Sequence, residues 1–155
     1  MTKRQTEKIR ALRDIVTEYN RTQSTTGHLQ ISDPEAVAEV FRPVYQGLKH
    51  EEGWVLFLNR ANRIIKKEML FKGGVDSTIF DVKTIVRKAL VYSASAVIIS
   101  HNHPSGSANP STADIKQTDA LHKALKYMDI HLLDHVIITE DSFYSIINVA
   151  LYNFK

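Results

Sequence analysis

Residues 96–114 read AVIISHNHPSGSANPSTAD, an apolar run that leads directly into two histidines and a loop. The apolar run predicts a strand in the protein interior. Because side chains of an extended chain alternate between two faces, His101 and His103 project from the same face if this geometry persists through them. The prolines and the glycine that follow predict an irregular loop, and Ser111 is a good helix N-cap, which places Asp114 in the first helical turn.

Two imidazoles and one carboxylate from this stretch are a suitable ligand set for zinc. His101, His103 and Asp114 supply three protein ligands, which leaves one position for water, as in catalytic rather than structural zinc sites. The pattern therefore indicates a hydrolase. In the alternative interpretation, Ser111 and Asp114 form an S-x-x-D variant of the capping box, and the histidines are merely polar loop residues.

The spacing His-x-His, seven residues, Ser, two residues, Asp resembles the JAMM motif of the MPN metalloprotease fold. The segment HNHPSG, the later PSxxD and residues 133–135 before an Ile-rich strand narrow the resemblance to the RadC family, over roughly residues 30–155. The resemblance implies a mixed α/β fold, MPN/JAMM-like, with a cytidine-deaminase-like central mixed sheet flanked by helices. It also implies a zinc-dependent metallopeptidase that cleaves an amide or isopeptide bond in a peptide or isopeptide substrate.

Two consecutive glutamates are candidates for the catalytic base. In the MPN/JAMM group a glutamate near the first core strand acts through the metal-bound water, and here the resemblance points to Glu51. Glu52 competes with it, since a one-residue register error exchanges the two, and the carboxylate that is not the base is expected to be a solvated charge. In this hypothesis zinc lowers the pKa of its water from about 15.7 to roughly 7, Glu51 moves the proton, and Ser111 stabilises the oxyanion.

The chain departs from the RadC pattern outside the proposed ligands. Residues 1–30 lack the Gly-x-Gly signature of the helix-hairpin-helix region that RadC-like proteins commonly carry, Gly53 stands where a bulky apolar residue is common, and residues 80–83 lack a frequent Pro-Arg-Glu. The formal charge of +3 is interleaved with acids, so strong direct binding to nucleic acid is not expected. The alternative functions are a non-catalytic accessory protein in DNA repair or recombination, and a structural zinc module.

Length and composition predict one compact domain. The 155 residues are 43% hydrophobic, and the absence of cysteine excludes disulfides and thiolate zinc ligands. No segment has the length and apolarity of a membrane span or a signal peptide, so a cytoplasmic protein without membrane association is expected. We expect residues 1–30 to form an N-terminal helix and linker, and residues 31–155 to form the RadC-like domain.

Periodicity and turn signals predict the remaining elements. A helix over residues 6–19, whose apolar stripe is expected to pack on the domain, precedes a linker at residues 21–27. A second helix starts near Asp33 and is kinked or shortened by Pro43, and a third starts after Asp81. Two strands are predicted over residues 54–58 and 64–71 and are joined as a hairpin. A helix is predicted over residues 112–128. Two further strands are predicted over residues 130–139 and 143–147. His135 lies inside an apolar strand, where it is either a structural histidine or a residue that orients a metal ligand.

Overall fold

The computed structural model describes residues 2–22, 29–73 and 80–155, with the backbone alone for residues 16–22. Four helices lie in these ranges: α1 (Lys3–Thr22), α2 (Pro34–Tyr45), α3 (Val82–Val91) and α4 (Thr112–Tyr127). The strands in the same ranges are β1 (Glu52–Leu58), β2 (Ile64–Lys72), β3 (Ala96–Asn102), β4 (His131–Ile138), β5 (Ser142–Ser145) and β6 (Ala150–Asn153).

The strands form one mixed sheet in the order β2-β1-β3-β4-β5-β6. β3 and β4 run parallel and are connected through α4, whereas the other neighbouring strands are antiparallel. The hairpin of β1 and β2 is confirmed, as is the mixed α/β architecture that the sequence predicts. The parallel β3-α4-β4 unit is what brings the end of β3 beside the start of α4.

The sheet separates two hydrophobic cores. α2 covers one face, where the strands contribute Trp54, Leu56 and Ile98. α3 and α4 cover the other face, where the strands contribute Val55 and Ile99. Every residue of β1 and of β3 is buried, which explains why both strands read as continuous apolar runs rather than as alternating ones.

Several boundaries differ from the predicted ones. β5 ends at Ser145 rather than Ile147, because the backbone N–H of Ile147 donates to Asp134 and that of Asn148 donates to the Ser145 hydroxyl, which forms a turn. β6 was not predicted, because its four residues are too few to reveal a period. Pro43 lies inside the last turn of α2, which ends at Tyr45. Most of the predicted linker at residues 21–27 lies outside the described residues.

α1 is longer than predicted, and the part of its apolar stripe whose side chains are described is exposed. Among the residues whose side chains are described, Ile9, Leu12 and Ile15 are 56%, 64% and 65% exposed. The expectation that this stripe packs on the domain is therefore wrong for Ile9 and Leu12, and its other members, Val16 and Tyr19, lie outside the residues whose side chains are described. Among the described residues, no helix combines the length and apolarity that crossing a bilayer requires.

Candidate metal centre

The carboxyl end of β3 carries the first two candidate ligands. His101 is the penultimate residue of β3 and is fully buried, whereas the side chain of His103 is 14% exposed. The backbone N–H of His103 donates to the carbonyl of Ile138 at 3.0 Å, so the chain stays beside β4 after the strand ends. The two rings therefore project from the same face, one buried and one at the surface.

The capping box of α4 positions the third candidate ligand. The Asp114 N–H donates to Oγ of Ser111 at 3.0 Å, and the Ser111 N–H donates to Oδ2 of Asp114 at 2.8 Å. The predicted capping box is thus present, and it is compatible with a metal site instead of being an alternative to it. Oδ1 of Asp114 is buried and accepts no hydrogen bond from any described residue. A buried carboxylate oxygen in that state requires a cation or a donor.

The three side chains have the spacing of a metal-binding set. Nε2 of His101 lies 2.9 Å from Nε2 of His103 and 3.4 Å from Oδ1 of Asp114, and Nε2 of His103 lies 3.6 Å from Oδ2. Ligands bound at about 2.0–2.1 Å in a tetrahedron stand roughly 3.3 Å apart, so a zinc-sized ion fits between these atoms with small adjustments. His101, His103 and Asp114 can therefore hold a metal ion.

A chain of hydrogen bonds behind His101 determines which of its nitrogens carries the proton. Oγ1 of Thr118 lies 2.6 Å from the carbonyl oxygen of Asp114 and 2.6 Å from Nδ1 of His135. A carbonyl only accepts, so Thr118 donates its one proton there and accepts from Nδ1–H of His135. Nε2 of neutral His135 is then an acceptor, and it receives Nδ1–H of His101 at 2.7 Å. This leaves a lone pair on Nε2 of His101, the atom that faces the other ligands.

In His103, too, Nδ1 carries a proton, and here a single hydrogen bond determines it. Its Nδ1 lies 2.8 Å from the carbonyl oxygen of Ser107, which only accepts, so Nδ1 carries a proton. When the ring is neutral, its Nε2 has a lone pair that faces the lone pair of His101. Two lone pairs at 2.9 Å repel each other unless a proton or a metal ion lies beside them.

Burial keeps the inner histidines neutral. Burial lowers the pKa of His101, although Asp114 acts in the opposite direction. Burial, helped by the nearby His101, also holds the pKa of His135 well below its ordinary value. Neutral imidazole is the form that binds a metal and the form that the hydrogen-bond chain requires.

The outer pair, His103 and Asp114, favours its charged forms. Burial opposes the charge on both groups. For Asp114 it is outweighed by the contact with His101 and then by the contact with His103, helped by the N–H of Ser111, so the pKa of Asp114 lies far below its usual range. For His103 it is outweighed by Asp114 and by the Ser107 carbonyl, so the pKa of His103 is raised. The centre therefore contains an ionised carboxylate that attracts a cation.

The two glutamates differ in the face of the sheet that they occupy. Val55 belongs to the core under α3 and α4, and Trp54 belongs to the opposite core. Gly53 pairs with His101, so alternation places Glu51 on the face that carries the histidines. The negative charge of Glu51 acts to raise the pKa of both histidine ligands, a smaller influence than burial.

Glu52 lies on the opposite face and is not a solvated charge. Its side chain is fully buried, accepts from the indole Nε1–H of Trp54 at 3.0 Å, and lies 2.9 Å from Nε2 of His50. The expectation that the second carboxylate is solvated is therefore wrong. Its burial is possible because both oxygens have partners.

The remaining predicted residue, Ser111, is exposed. Its oxygen accepts from the Asp114 N–H, which leaves its own proton available to donate. Phe80, which the sequence analysis did not select, packs edge-on against the rings of His101 and His135, with centroids 6.5 Å and 5.8 Å away. A Cβ on Gly53 would lie 2.9 Å from the Phe80 ring, so the unusual glycine makes room for this apolar cover.

The profile of the RadC-like JAB domain matches residues 31–151. A UPF0758 protein of Flavobacterium johnsoniae is 40% identical over 123 residues, which are 79% of this chain and 54% of that protein. A UPF0758 protein of Porphyromonas gingivalis is 42% identical over 114 residues, which are 74% of this chain and 50% of that protein. The UPF0758 protein YfjY of Escherichia coli is 36% identical over 136 residues, which are 88% of this chain and 84% of that protein.

The chain spans about half the length of the first two relatives and most of the third. The names of these relatives state no activity. The matched profile and the Escherichia coli relative, together with the His-His-Asp cluster at the end of β3, assign the chain to the RadC-like JAB domain family.

Proposed function

We propose that this protein is a zinc-dependent metallohydrolase that cleaves an amide or isopeptide bond in a peptide substrate. The single observation that carries the proposal is that Nε2 of His101, Nε2 of His103 and the Asp114 carboxylate lie 2.9–3.6 Å apart, while Oδ1 of that carboxylate is buried and accepts no hydrogen bond from any described residue. Three ligands leave a coordination position free, and the partial exposure of His103 gives access to it. His101, His103 and Asp114 would hold the ion.

A zinc ion bound there supplies Lewis-acid activation of water near neutral pH. Glu51, on the same face as the ligands, accepts a proton from the attacking water at its carboxylate and returns it to the nitrogen of the leaving amine. The Ser111 hydroxyl donates a hydrogen bond to the oxygen of the substrate carbonyl as negative charge develops on that oxygen. The Phe80 ring limits water around the inner histidines.

Removal and return of the metal tests this function. Purified protein loaded with zinc is expected to hydrolyse an isopeptide-linked model peptide, to lose that activity on dialysis against a chelator, and to regain it with one equivalent of zinc. Circular dichroism before and after chelation serves as the control. Unfolding on chelation would instead indicate a structural zinc module, and hydrolysis that persists without metal would contradict the proposal.

His135 is expected to control metal affinity without touching the metal. Replacement by Ala removes the acceptor of the His101 Nδ1–H, so the ring loses the bond that fixes its orientation and proton position. The zinc dissociation constant of His135→Ala is expected to rise by about 10–100-fold, as for other residues that orient a metal ligand. Competition with a fluorescent chelator measures it.

The matched control is His122→Ala, which removes an exposed histidine from α4. Its zinc affinity is expected to equal that of the unmodified protein. The companion Thr118→Val keeps the side-chain shape but removes the acceptor of the His135 Nδ1–H, so it is expected to weaken zinc binding in the same direction. Unchanged affinity in His135→Ala would refute the proposed role of the hydrogen-bond chain.

A further inference from the structure

The backbone ladder between β1 and β3 ends at the candidate site. Its last pair is Gly53 with His101, although β3 itself continues to Asn102 beside β4. At this point the Asn102 side chain replaces the backbone as the bonding partner of β1. Its Oδ1 accepts the N–H of Glu52 at 2.7 Å, and its Nδ2 donates to the carbonyl of His50 at 2.9 Å.

These two bonds hold the backbone on both sides of Glu51. A third bond holds the residue itself, since the N–H of Gly73 donates to the Glu51 carbonyl at 2.6 Å. A Cβ at Gly73 would lie 2.6 Å from that same carbonyl oxygen, so only glycine allows the approach. The peptide groups of Glu51 are therefore held from two neighbouring segments, while its side chain stays free of these bonds.

Asn102 is itself firmly placed. It is 3% exposed and lies between the two histidine ligands in the chain. Asn102 pairs with Ile138 of β4, and the backbone N–H of the next residue, His103, donates to the Ile138 carbonyl. The Asn102 side chain points to the face opposite the ligands, so it connects their strand to the Glu51 segment without occupying the metal centre.

The chemistry of the contact requires an amide. One side chain must accept from an N–H and donate to a carbonyl two residues away, and asparagine does both at the right length. Aspartate would lose the donor and would bury a charge, and alanine would lose both bonds. The Glu52 carboxylate lies on the same face as the Asn102 side chain and contacts His50 and Trp54.

We propose that Asn102 is a positioning residue that fixes the distance between Glu51 and the His101–His103 ligand pair. The inference rests on the proposed function in that it takes Glu51 as the proton carrier. Loss of the two bonds leaves the Glu51 backbone held by the Gly73 bond alone, and a shift of about 1 Å in a reacting group costs roughly 100-fold in rate. The three candidate ligands take no part in these two bonds, so zinc content and substrate binding are expected to stay unchanged when the bonds are lost.

The test compares Asn102→Ala and Asn102→Asp with Ser100→Ala. Ser100 lies on the same strand and face, is fully buried, and its hydroxyl has no hydrogen-bond partner among the described residues, so its replacement removes a buried polar group without touching the contact. With the isopeptide-linked peptide, both Asn102 variants are expected to lose about 10–100-fold in kcat with KM within about threefold and zinc content unchanged. Ser100→Ala is expected to keep the parent kinetics.

Amide hydrogen exchange of the metal-free protein gives a readout independent of activity. The Glu52 N–H is expected to exchange at least about tenfold faster in Asn102→Ala, while amides in the centre of β1 keep their protection. Asn102→Asp retains the acceptor, so its Glu52 N–H is expected to stay protected although kcat falls. Parent-like Glu52 protection in Asn102→Ala would overturn the inference even if hydrolysis is demonstrated. If the parent protein is inactive but the Glu52 N–H exchanges rapidly in Asn102→Ala, the hydrolase proposal is refuted. The role of Asn102 in holding this backbone segment then still stands.

Discussion

Glu51→Gln is expected to leave the zinc content of the protein unchanged and to reduce kcat for the isopeptide-linked peptide by about 10²–10⁴-fold. The glutamine side chain has nearly the same shape and still accepts a hydrogen bond, but it cannot take up and return a proton. Because Glu51 is not one of the three metal ligands, its replacement removes the proton transfer and keeps the metal set. Steady-state kinetics with parallel zinc analysis measures both effects.

Glu52→Gln is the matched control for this prediction. It makes the same chemical change one residue further along the chain, on the opposite face of the sheet. Hydrolysis is expected to stay within a few-fold of the parent, whereas thermal stability falls because one of the two carboxylate oxygens that serve Trp54 and His50 becomes an amide nitrogen. Full turnover by Glu51→Gln would exclude Glu51 as the base.

The second large effect is expected for Asp114→Ala. This change removes one ligand and the only carboxylate of the His101–His103–Asp114 set, so the zinc dissociation constant is expected to rise by more than about 100-fold, beyond the effect of a residue that only orients a ligand. It also removes the capping-box acceptor of the Ser111 N–H, and a hydrogen bond of this kind contributes about 1 kcal/mol to stability.

Asp114→Asn separates these two consequences. Its amide oxygen can still accept from the Ser111 N–H, so the capping box survives, while an uncharged amide faces the metal position. Zinc affinity is expected to fall in this variant with little change in the unfolding temperature. Isothermal titration of zinc into the metal-free protein measures the loss of the ligand separately from the loss of the capping box. Parent-like zinc affinity in both Asp114 variants would exclude this residue as a ligand.

The proximity of the three candidate ligands could be predicted because they are local in sequence. His101, His103 and Asp114 lie on one strand end, one loop and one helix start, and each position follows from strand alternation or helix capping. The same local signals predicted the hairpin of β1 and β2 and the helix after Asp81.

The choice between Glu51 and Glu52 could not be made from the pattern of β1. All seven residues of this strand are buried, so apolar side chains occupy both faces, and the sequence carries no alternation that would indicate which face a flanking residue shares. The pairing of Gly53 with His101 supplies the missing register. This register places Glu51 on the face of the candidate ligands and Glu52 in the opposite core.

The supporting residues could not be predicted for a different reason. Asn102 bonds to a residue 50 positions away, and His135 bonds to a ligand 34 positions away, so their partners depend on strand order. The signal for His135 was its burial in an apolar strand, which requires a partner but does not name it. Thr118 carried no signal beyond its position one helical turn after Asp114.

The most direct measurement of the central claim is elemental analysis of the protein and of His103→Ala, both purified without a metal-affinity tag and offered stoichiometric zinc. The geometry of the His101–His103–Asp114 centre predicts one zinc per chain in the parent and a large loss in the variant, with both proteins folded. Absence of bound metal in the parent after zinc is supplied, or equal zinc in the two proteins, would contradict the assignment of this cluster as a catalytic metal centre.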